Sequence, residues 1–317
     1  MSQPFIRVLV VDDSAFMRSV LPAKIEADKR FKVIGTAVDG RDAIEKTLAL
    51  KPDVVTLDID MPVMNGIDAL REIVRLSPAS VVMLSARTDQ GAAITLEALA
   101  LGAIDFIPKS RAADRIHEKL LAAAEAKAQK THGSIAPRST VTKSSAAPAR
   151  MAAAGRVGAK ICIVGSSTGG PQALQAVLSQ LPETMPVPLV IAQHMPPNFT
   201  KALAQRLDDI CKIKIVEAED GMPLSKGTVY IAPGGMQTRV SATEIRVSPD
   251  QGESLYRPSV DVLAESARKA FGKSVLGVML TGMGGDGAAE LTALHKLGAY
   301  NISQDQASCV VYGMPRT

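Results

Sequence analysis

Cysteine is scarce in this chain of 317 residues: Cys162, Cys211 and Cys309 stand far apart, and none belongs to a CxxC pair. That spacing fits neither a disulfide framework nor a zinc site, so reduced buried thiols are expected, with Cys162 and Cys309 in apolar, strand-like runs. Long apolar runs are missing as well. No stretch of about 18 uncharged apolar residues occurs, which excludes a membrane-spanning helix. The apolar start, Ile6 to Val11, carries Arg7 and has no cleavage site, so it does not read as a secretory leader. A soluble, cytoplasmic protein without direct membrane insertion is expected. A basic face is the third absence. The net charge is +4, yet residues 1–125 hold 16 Lys and Arg against 18 Asp and Glu, residues 126–158 hold 6 against none, and residues 159–317 hold 14 against 14. The excess lies wholly in the middle piece, so neither flanking part carries the footprint of a nucleic-acid-binding domain.

What is there is apolar sequence, 46% of the chain, enough at this length for two sizeable cores. The first half carries five apolar runs, "IRVLVV", "FKVIGTAV", "DVVTLD", "SVVMLSA" and "AIDFIP", each followed by a stretch of helical period. Alternating strand and helix implies a doubly wound parallel sheet. The piece 126–158, rich in Ala, Ser, Pro and Lys or Arg, reads as a flexible basic linker. After it the pattern recurs in "KICIVG", "PLVIAQH", "IKIVEA", "TVYIAP" and "VLGVML", with an inserted β-hairpin over 238–248. The fold class is therefore α/β, two doubly wound parallel-sheet domains, at residues 1–125 and 159–317. Ligands of such sheets bind beyond the carboxyl ends of the strands, so the residues that close each strand matter most.

In the first half those residues are Asp12 and Asp13, then Asp58, Ser85 and Lys109. Three carboxylates converging on one edge repel one another, and Mg²⁺ suits such a set because it takes one or two carboxylates and keeps waters and phosphate oxygens as its other ligands. A carboxylate nucleophile beside a divalent cation, a hydroxyl and an ammonium makes a phosphoryl-accepting site. "VLVVDDS", "VVTLDIDMPVMNG", "MLSA" and "DFIPK" together resemble the receiver domain of two-component response regulators, a flavodoxin-like fold. That resemblance implies that Asp58 accepts phosphate from a histidine kinase, and that Asp13, Asp58 and the carbonyl of Asp60 hold Mg²⁺ with Asp12 in support. It also implies that Ser85 bonds the phosphoryl oxygens, that Lys109 pairs with the phosphate, and that Phe106 is the aromatic that changes rotamer. Ser110 stands where the family usually has proline.

In the second half, "KICIVGSSTGGPQAL" runs from a strand into a helix and sets Ser167 among glycines. Such a turn either cradles a phosphate on its N–H groups or presents a nucleophile in the G-x-S-x-G manner. A serine nucleophile needs a base and a group to orient that base. Of four histidines, His117 and His295 lie on helices and His132 in the linker, while His194 closes the strand "PLVIAQH" at the same rim as Ser167. Asp286, in "VMLTGMGGDGAAEL", follows a third strand to that rim. The chain order Ser, His, Asp differs from that of α/β-hydrolases. A competing reading takes Gly282, Gly284 and Gly287 as a dinucleotide fingerprint for NAD, with Asp305 near the end of the next strand; against it, Asp286 would bring a carboxylate to the place where a pyrophosphate must lie.

"VGSSTGGPQAL", "AQHMPPNFTKALAQRLD", "EAEDGMPLSKGTVYIAPGG", "SVDVLAESA", "VMLTGMGGDGA" and "SCVVYGMPR" resemble the catalytic domain of the CheB family of chemotaxis-specific protein-glutamate methylesterases, which follows a receiver in that family. The resemblance implies a monomeric, Rossmann-like hydrolase acting on glutamyl methyl esters of methylated chemoreceptors to give glutamate and methanol, and in many members on glutamines. Ser167 is then the nucleophile, His194 the base and Asp286 its orienting acid. The backbone N–H groups of Thr168 and Met283 are candidates for the oxyanion hole, and no cofactor is needed for the ester chemistry. The receiver covers the active-site face in that family, and phosphorylation loosens the contact. Two departures stand out. The family runs on beyond G-M-P-R, so the domain is expected to be C-terminally short, and "GGMQTR" at 234–239 stands where relatives often carry a histidine.

Overall fold

The computed structural model describes residues 5–85, 89–109, 115–132, 158–249, 252 and 254–317. The chain divides into two compact units, Met1–Ser134 and Ile135–Thr317. Among the described residues, no helix is long and apolar enough to cross a membrane.

The first unit strictly alternates strand and helix: β1 (Ile6–Val11), α1 (Ala15–Glu26), β2 (Phe31–Ala37), α2 (Gly40–Leu50), β3 (Val54–Asp58), α3 (Gly66–Leu76), β4 (Ser80–Ser85), α4 (Asp89–Ala100), β5 (Asp105–Pro108) and α5 (Ile116–His132). Every pairing is parallel, in the order β2-β1-β3-β4-β5. Helices on both faces bury the inner strands, which is why these read as unbroken apolar runs: Val8 to Val11, Val54, Val55 and Leu57 expose nothing, while the edge strand β2 is mostly half-buried. Side chains at the helix starts satisfy orphan N–H groups. Ser14 accepts from Met17 N at 3.4 Å, Asp39 from Arg41 N and Asp42 N at 2.8 and 3.0 Å, and Asn65 from Asp68 N at 2.9 Å. The strand order reverses between β1 and β3, and Asp12, Asp13 and Asp58 follow or close those two strands.

The second unit runs β6 (Ile161–Ser166), α6 (Gly170–Leu178), β7 (Leu189–Gln193), α7 (Phe199–Ile210), β8 (Lys214–Glu217), β9 (Thr228–Ile231), β10 (Gln237–Val240), β11 (Ile245–Ser248), α8 (Val260–Phe271), β12 (Val275–Met279), α9 (Ala288–Lys296) and β13 (Tyr300–Ser303). Its six-stranded parallel sheet has the order β13-β12-β6-β7-β9-β8, and β10 and β11 form a separate antiparallel hairpin at the expected place. One core joins the sheet to α8 and α9 through Ile161, Ile163, Val190, Leu263, Val275, Met279 and Leu294. The chain moves from β6 to β7 on one side and returns to β12 on the other, so the switch point lies beside β6, where Ser167 follows.

Two expectations need correction. The stretch read as linker begins inside a helix: α5 continues to His132, because Ala126 is buried and Lys127 Nζ reaches Asp53 Oδ1 at 2.7 Å and the Pro52 carbonyl at 3.1 Å. Cys162 lies in β6, but Cys309 lies in a loop. The apolar run after it is not a strand, since the Thr281 hydroxyl takes the N–H groups of Val310 and Val311 at 3.1 and 2.9 Å. Burial pushes the Cys162 thiol up to about 12, and burial followed by the Asp305 charge pushes Cys309 up to about 11, which leaves both protonated and unreactive. Ser110 lies outside the described residues.

Candidate phosphoacceptor and hydrolase sites

In the first unit, Asp12, Asp13 and Asp58 each offer a carboxylate oxygen, all within 4.8 Å of one another. Asp12 and Asp58 are buried, and Asp13 is exposed. Lys109 Nζ lies 2.6 Å from Asp58 Oδ2 and 3.2 Å from Asp12 Oδ2. One ammonium among three carboxylates leaves excess negative charge. Burial pushes the Asp58 carboxyl up to about 6, with the Asp12 charge adding to the rise and Lys109 opposing it. The donor set is hard, all oxygen and anionic, and therefore fits Mg²⁺. Ser85 Oγ is turned toward α4, 2.6 Å from Thr95 Oγ1 and 3.4 Å from the Gly91 carbonyl. Phe106 is 3% exposed, with the Lys119 ammonium 5.6 Å from its ring centre.

In the second unit the sheet register brings the serine and histidine together. Ser166 pairs with Gln193 in the last rung between β6 and β7, so Ser167 and His194 are the next residues on neighbouring strands, and His194 N still donates to Ser166 O at 3.0 Å. Ser167 N donates to Thr281 O at 3.1 Å on the other side, which ties the turn to the segment leaving β12. Three features fix the turn. Gly169 takes φ +77°, where a Cβ would meet Val310 at 2.5 Å, and Gly170 has no room for a Cβ beside Gln193 Oε1. The fully buried Gln193 accepts from Ser166 Oγ at 2.6 Å and donates to Ser167 O at 2.9 Å. Gly282 passes so close that a Cβ there would lie 2.8 Å from Ser167 Cβ.

His194 Nε2 lies 2.7 Å from Asp286 Oδ2, and the two side chains are 4% and 5% exposed. The other ring nitrogen, Nδ1, is buried and has no hydrogen-bond partner among the described residues. No bond joins it to Ser167, whose residue is 7% exposed at the adjoining position. The Asp286 carboxylate also receives Ser259 Oγ at 2.8 Å, Val260 N at 2.7 Å and Asp261 N at 3.1 Å, the cap and opening N–H groups of α8. Burial alone would raise its carboxyl, but His194, the Val260 N–H and the Ser259 hydroxyl outweigh burial and hold it below the usual range. Asp286 is thus an ionised acid fixed by four donors, aimed at one nitrogen of one imidazole. Met283 N makes no hydrogen bond among the described residues.

Four further residues support the site: Tyr256, Ser259, Asp261 and Gln193. The Tyr256 ring stacks on His194 with centroids 4.2 Å apart and planes 9° from parallel. Ser259 was legible as an N-cap, since it precedes the apolar periodicity of "VDVLAESA" with an acid two residues on. Nothing in the sequence joined it to Asp286.

An acidic pocket with one lysine on one α/β unit, followed by an α/β unit that sets a serine beside a buried His–Asp pair, is the arrangement of a response regulator with an enzymatic output domain. Comparison with known proteins agrees. Residues 8–121 match the response regulator receiver domain and residues 162–317 match the CheB methylesterase family. The chain is 45% identical to a protein-glutamate methylesterase/protein-glutamine glutaminase of Symbiobacterium thermophilum, over 98% of this chain and 90% of that one. It is 44% identical to protein-glutamate methylesterase/protein-glutamine glutaminase 1 of Pseudomonas aeruginosa, over 98% and 92%. A solved structure, the Thermotoga maritima CheB methylesterase catalytic domain, is 39% identical with a TM-score of 0.48, covering 50% of this chain and 86% of that one. The chain belongs to the CheB family of methylesterases that carry a receiver domain.

Proposed function

We propose that this chain hydrolyses γ-glutamyl methyl esters of methylated chemoreceptors to glutamate and methanol, with Ser167, His194 and Asp286 as its catalytic residues. The observation that carries the assignment is the 2.7 Å contact from Asp286 Oδ2 to His194 Nε2, which leaves Nδ1 as the free base at the position adjoining Ser167. Nδ1 takes the Ser167 proton as Oγ attacks the ester carbonyl carbon. The oxyanion accepts from the N–H groups of Thr168 and Met283, a pair of donors each worth roughly 10²–10³ in rate. Collapse breaks the bond to the methoxy oxygen, which leaves as methanol with the proton from Nδ1. Water then attacks the acyl-serine by the same base and releases glutamate. General base help of this kind contributes roughly 10²–10⁴, and Asp286 stays ionised throughout. A glutamine side chain in place of the ester would lose ammonia by the same steps. None of these steps calls on a cofactor.

In the receiver, Asp58 is the phosphoacceptor for a chemotaxis histidine kinase. Asp13, Asp58 and the Asp60 carbonyl, with Asp12 in support, would hold Mg²⁺, which would screen the negative charge of the phosphoryl group. Lys109 supplies the fixed positive charge, and Ser85 and Phe106 are the residues biased by the new charge. The reading gives a receiver over 1–125 and a methylesterase domain over 159–317; of the linker read over 126–158, the part beyond His132 and before Gly158 lies outside the described residues. The protein acts as a cytoplasmic monomer and needs no nucleic acid. The NAD reading of the Gly282 to Gly287 loop is disfavoured because the Asp286 carboxylate in that loop is committed to His194 and α8.

The test is methanol release from methylated receptor membranes, with and without a small phosphodonor. Ser167→Ala should abolish release, and Asp58→Ala should keep the basal rate while losing the activation. Release by Ser167→Ala at the wild-type rate would refute the catalytic assignment.

A further inference from the structure

One hydrogen bond fixes one atom of a ring, not its plane. Asp286 holds His194 at Nε2, and an imidazole held there can still swing about that contact and carry Nδ1 away from the serine. What lies flat against the ring is Tyr256, 4.2 Å between centroids and 9° from parallel. Tyr256 is itself held on several sides. Its carbonyl accepts from Gln237 Nε2 at 2.8 Å and from Ser254 Oγ at 3.1 Å, and its ring end lies over Gly284, where a Cβ would sit 2.9 Å from the hydroxyl. Gln237 also accepts from Ser259 N at 2.9 Å, so a single side chain ties the tyrosine to the N-cap that bonds Asp286. The eight residues from Ser254 to Asp261 therefore meet both members of the dyad: a ring on the imidazole face, and a hydroxyl and two N–H groups on the carboxylate.

We infer that Tyr256 is a positioning residue for His194, its ring serving as the flat wall that holds the imidazole plane so that Nδ1 faces Ser167. The inference rests on the catalytic assignment above. Its aromatic face does the work, since a quadrupole stacked on imidazole also favours the cation that forms when Nδ1 takes the serine proton. The hydroxyl is dispensable for this role. Among the described residues, Asp286 bonds the imidazole and Tyr256 stacks on it, and the Asp261 N–H of α8 reaches the other Asp286 oxygen.

The experiment uses the full chain with saturating phosphodonor and two readouts: steady-state methanol release, and the rate at which a fluorophosphonate labels Ser167. Tyr256→Leu should lower kcat and the labelling rate together by about tenfold, the scale of one lost aromatic pair, with KM within about twofold of wild type. Tyr256→Phe should restore both rates, and Tyr256→Met, of similar bulk without a face, should behave as Leu does. The inference fails if Leu or Met labels as fast as wild type, if Phe loses as much as Leu, or if the loss falls on KM. Failure of the underlying reading looks different: Ser167 of the wild-type chain would then not be labelled at all.

Discussion

Asp286 and Asp261 each cap the helix that the other's segment begins. Asp286, two residues before α9, accepts from the first N–H groups of α8, and Asp261, in the first turn of α8, accepts from Glu290 N in the first turn of α9 at 3.1 Å. Arg268 and Glu290 tie the same two helices further along at 2.7 Å. Burial, joined by the Asp286 and Glu290 charges, raises the Asp261 carboxyl from its ordinary value, while the N–H groups of Gly287 and Glu290 oppose the rise. The exchange locks the loop that carries Asp286 against the helix end that orients it, so the acid of the dyad is placed by two helix N-termini at once.

Removing Asp261 should therefore cost stability and turnover together. Asp261→Ala leaves the α9 N-terminus uncapped, at about 1 kcal/mol, and frees the loop that aims Asp286. Asp261→Asn keeps an acceptor at the same place and should recover most of both losses. Urea unfolding of the full chain and methanol release measure the two effects. Equal damage from Ala and Asn would mean that charge, not capping, is what Asp261 contributes.

The strands were legible because a parallel sheet covered on both faces needs unbroken β-branched and aliphatic runs, and β1, β3, β6 and β7 are written that way. That Ser167, His194 and Asp286 come to one rim was legible because each follows a strand at the edge where such sheets bind ligands. Tyr256, Ser259 and Asp261 follow no strand. They reach the site from the loop before α8 and from its first turn, with Tyr256 standing 62 positions beyond His194, and no local pattern encodes that contact. The end of α5 was misplaced for a related reason: Ala, Lys and Gln suit a helix and a solvated tether alike, and what decides is the burial of Ala126 and the Lys127 contact with Asp53.

Gln193 bridges the nucleophile turn and should be costly to remove. Gln193→Leu leaves the Ser166 hydroxyl buried without its acceptor and the Ser167 carbonyl without that donor, a loss of about 1 to 3 kcal/mol. Methanol release should fall as well, since the turn carries Ser167. Adding Ser166→Ala removes the orphaned hydroxyl, so the double variant should be less destabilised than the sum of the two single ones. A double-mutant cycle by urea unfolding reads this directly, and strict additivity would show that the Ser166 to Gln193 bond contributes nothing.

Asp58 makes the receiver sensitive to pH and to Mg²⁺ in a direction that can be worked out. Its carboxyl stands at about 6 in the folded chain against an ordinary 3.8, so the folded state holds the proton more tightly than the unfolded state. The stabilising contribution is complete below about pH 4 and is lost as pH rises through 6, where a buried, ionised Asp58 costs about 1 to 3 kcal/mol. Asp58→Asn cannot ionise and should melt higher than wild type at pH 7.5, with little difference at pH 4.5. A divalent cation binds the ionised carboxylates and offsets the same cost, so millimolar Mg²⁺ should raise the wild-type Tm at pH 7.5 and leave Asp58→Asn and the pH 4.5 sample nearly unmoved. Calorimetry of the full chain at the two pH values, with and without Mg²⁺, checks all four cases. If Asp58→Asn proved no more stable than wild type at pH 7.5 without Mg²⁺, the buried carboxylate would not be under the electrostatic stress that makes this pocket ready for a cation and a phosphoryl group.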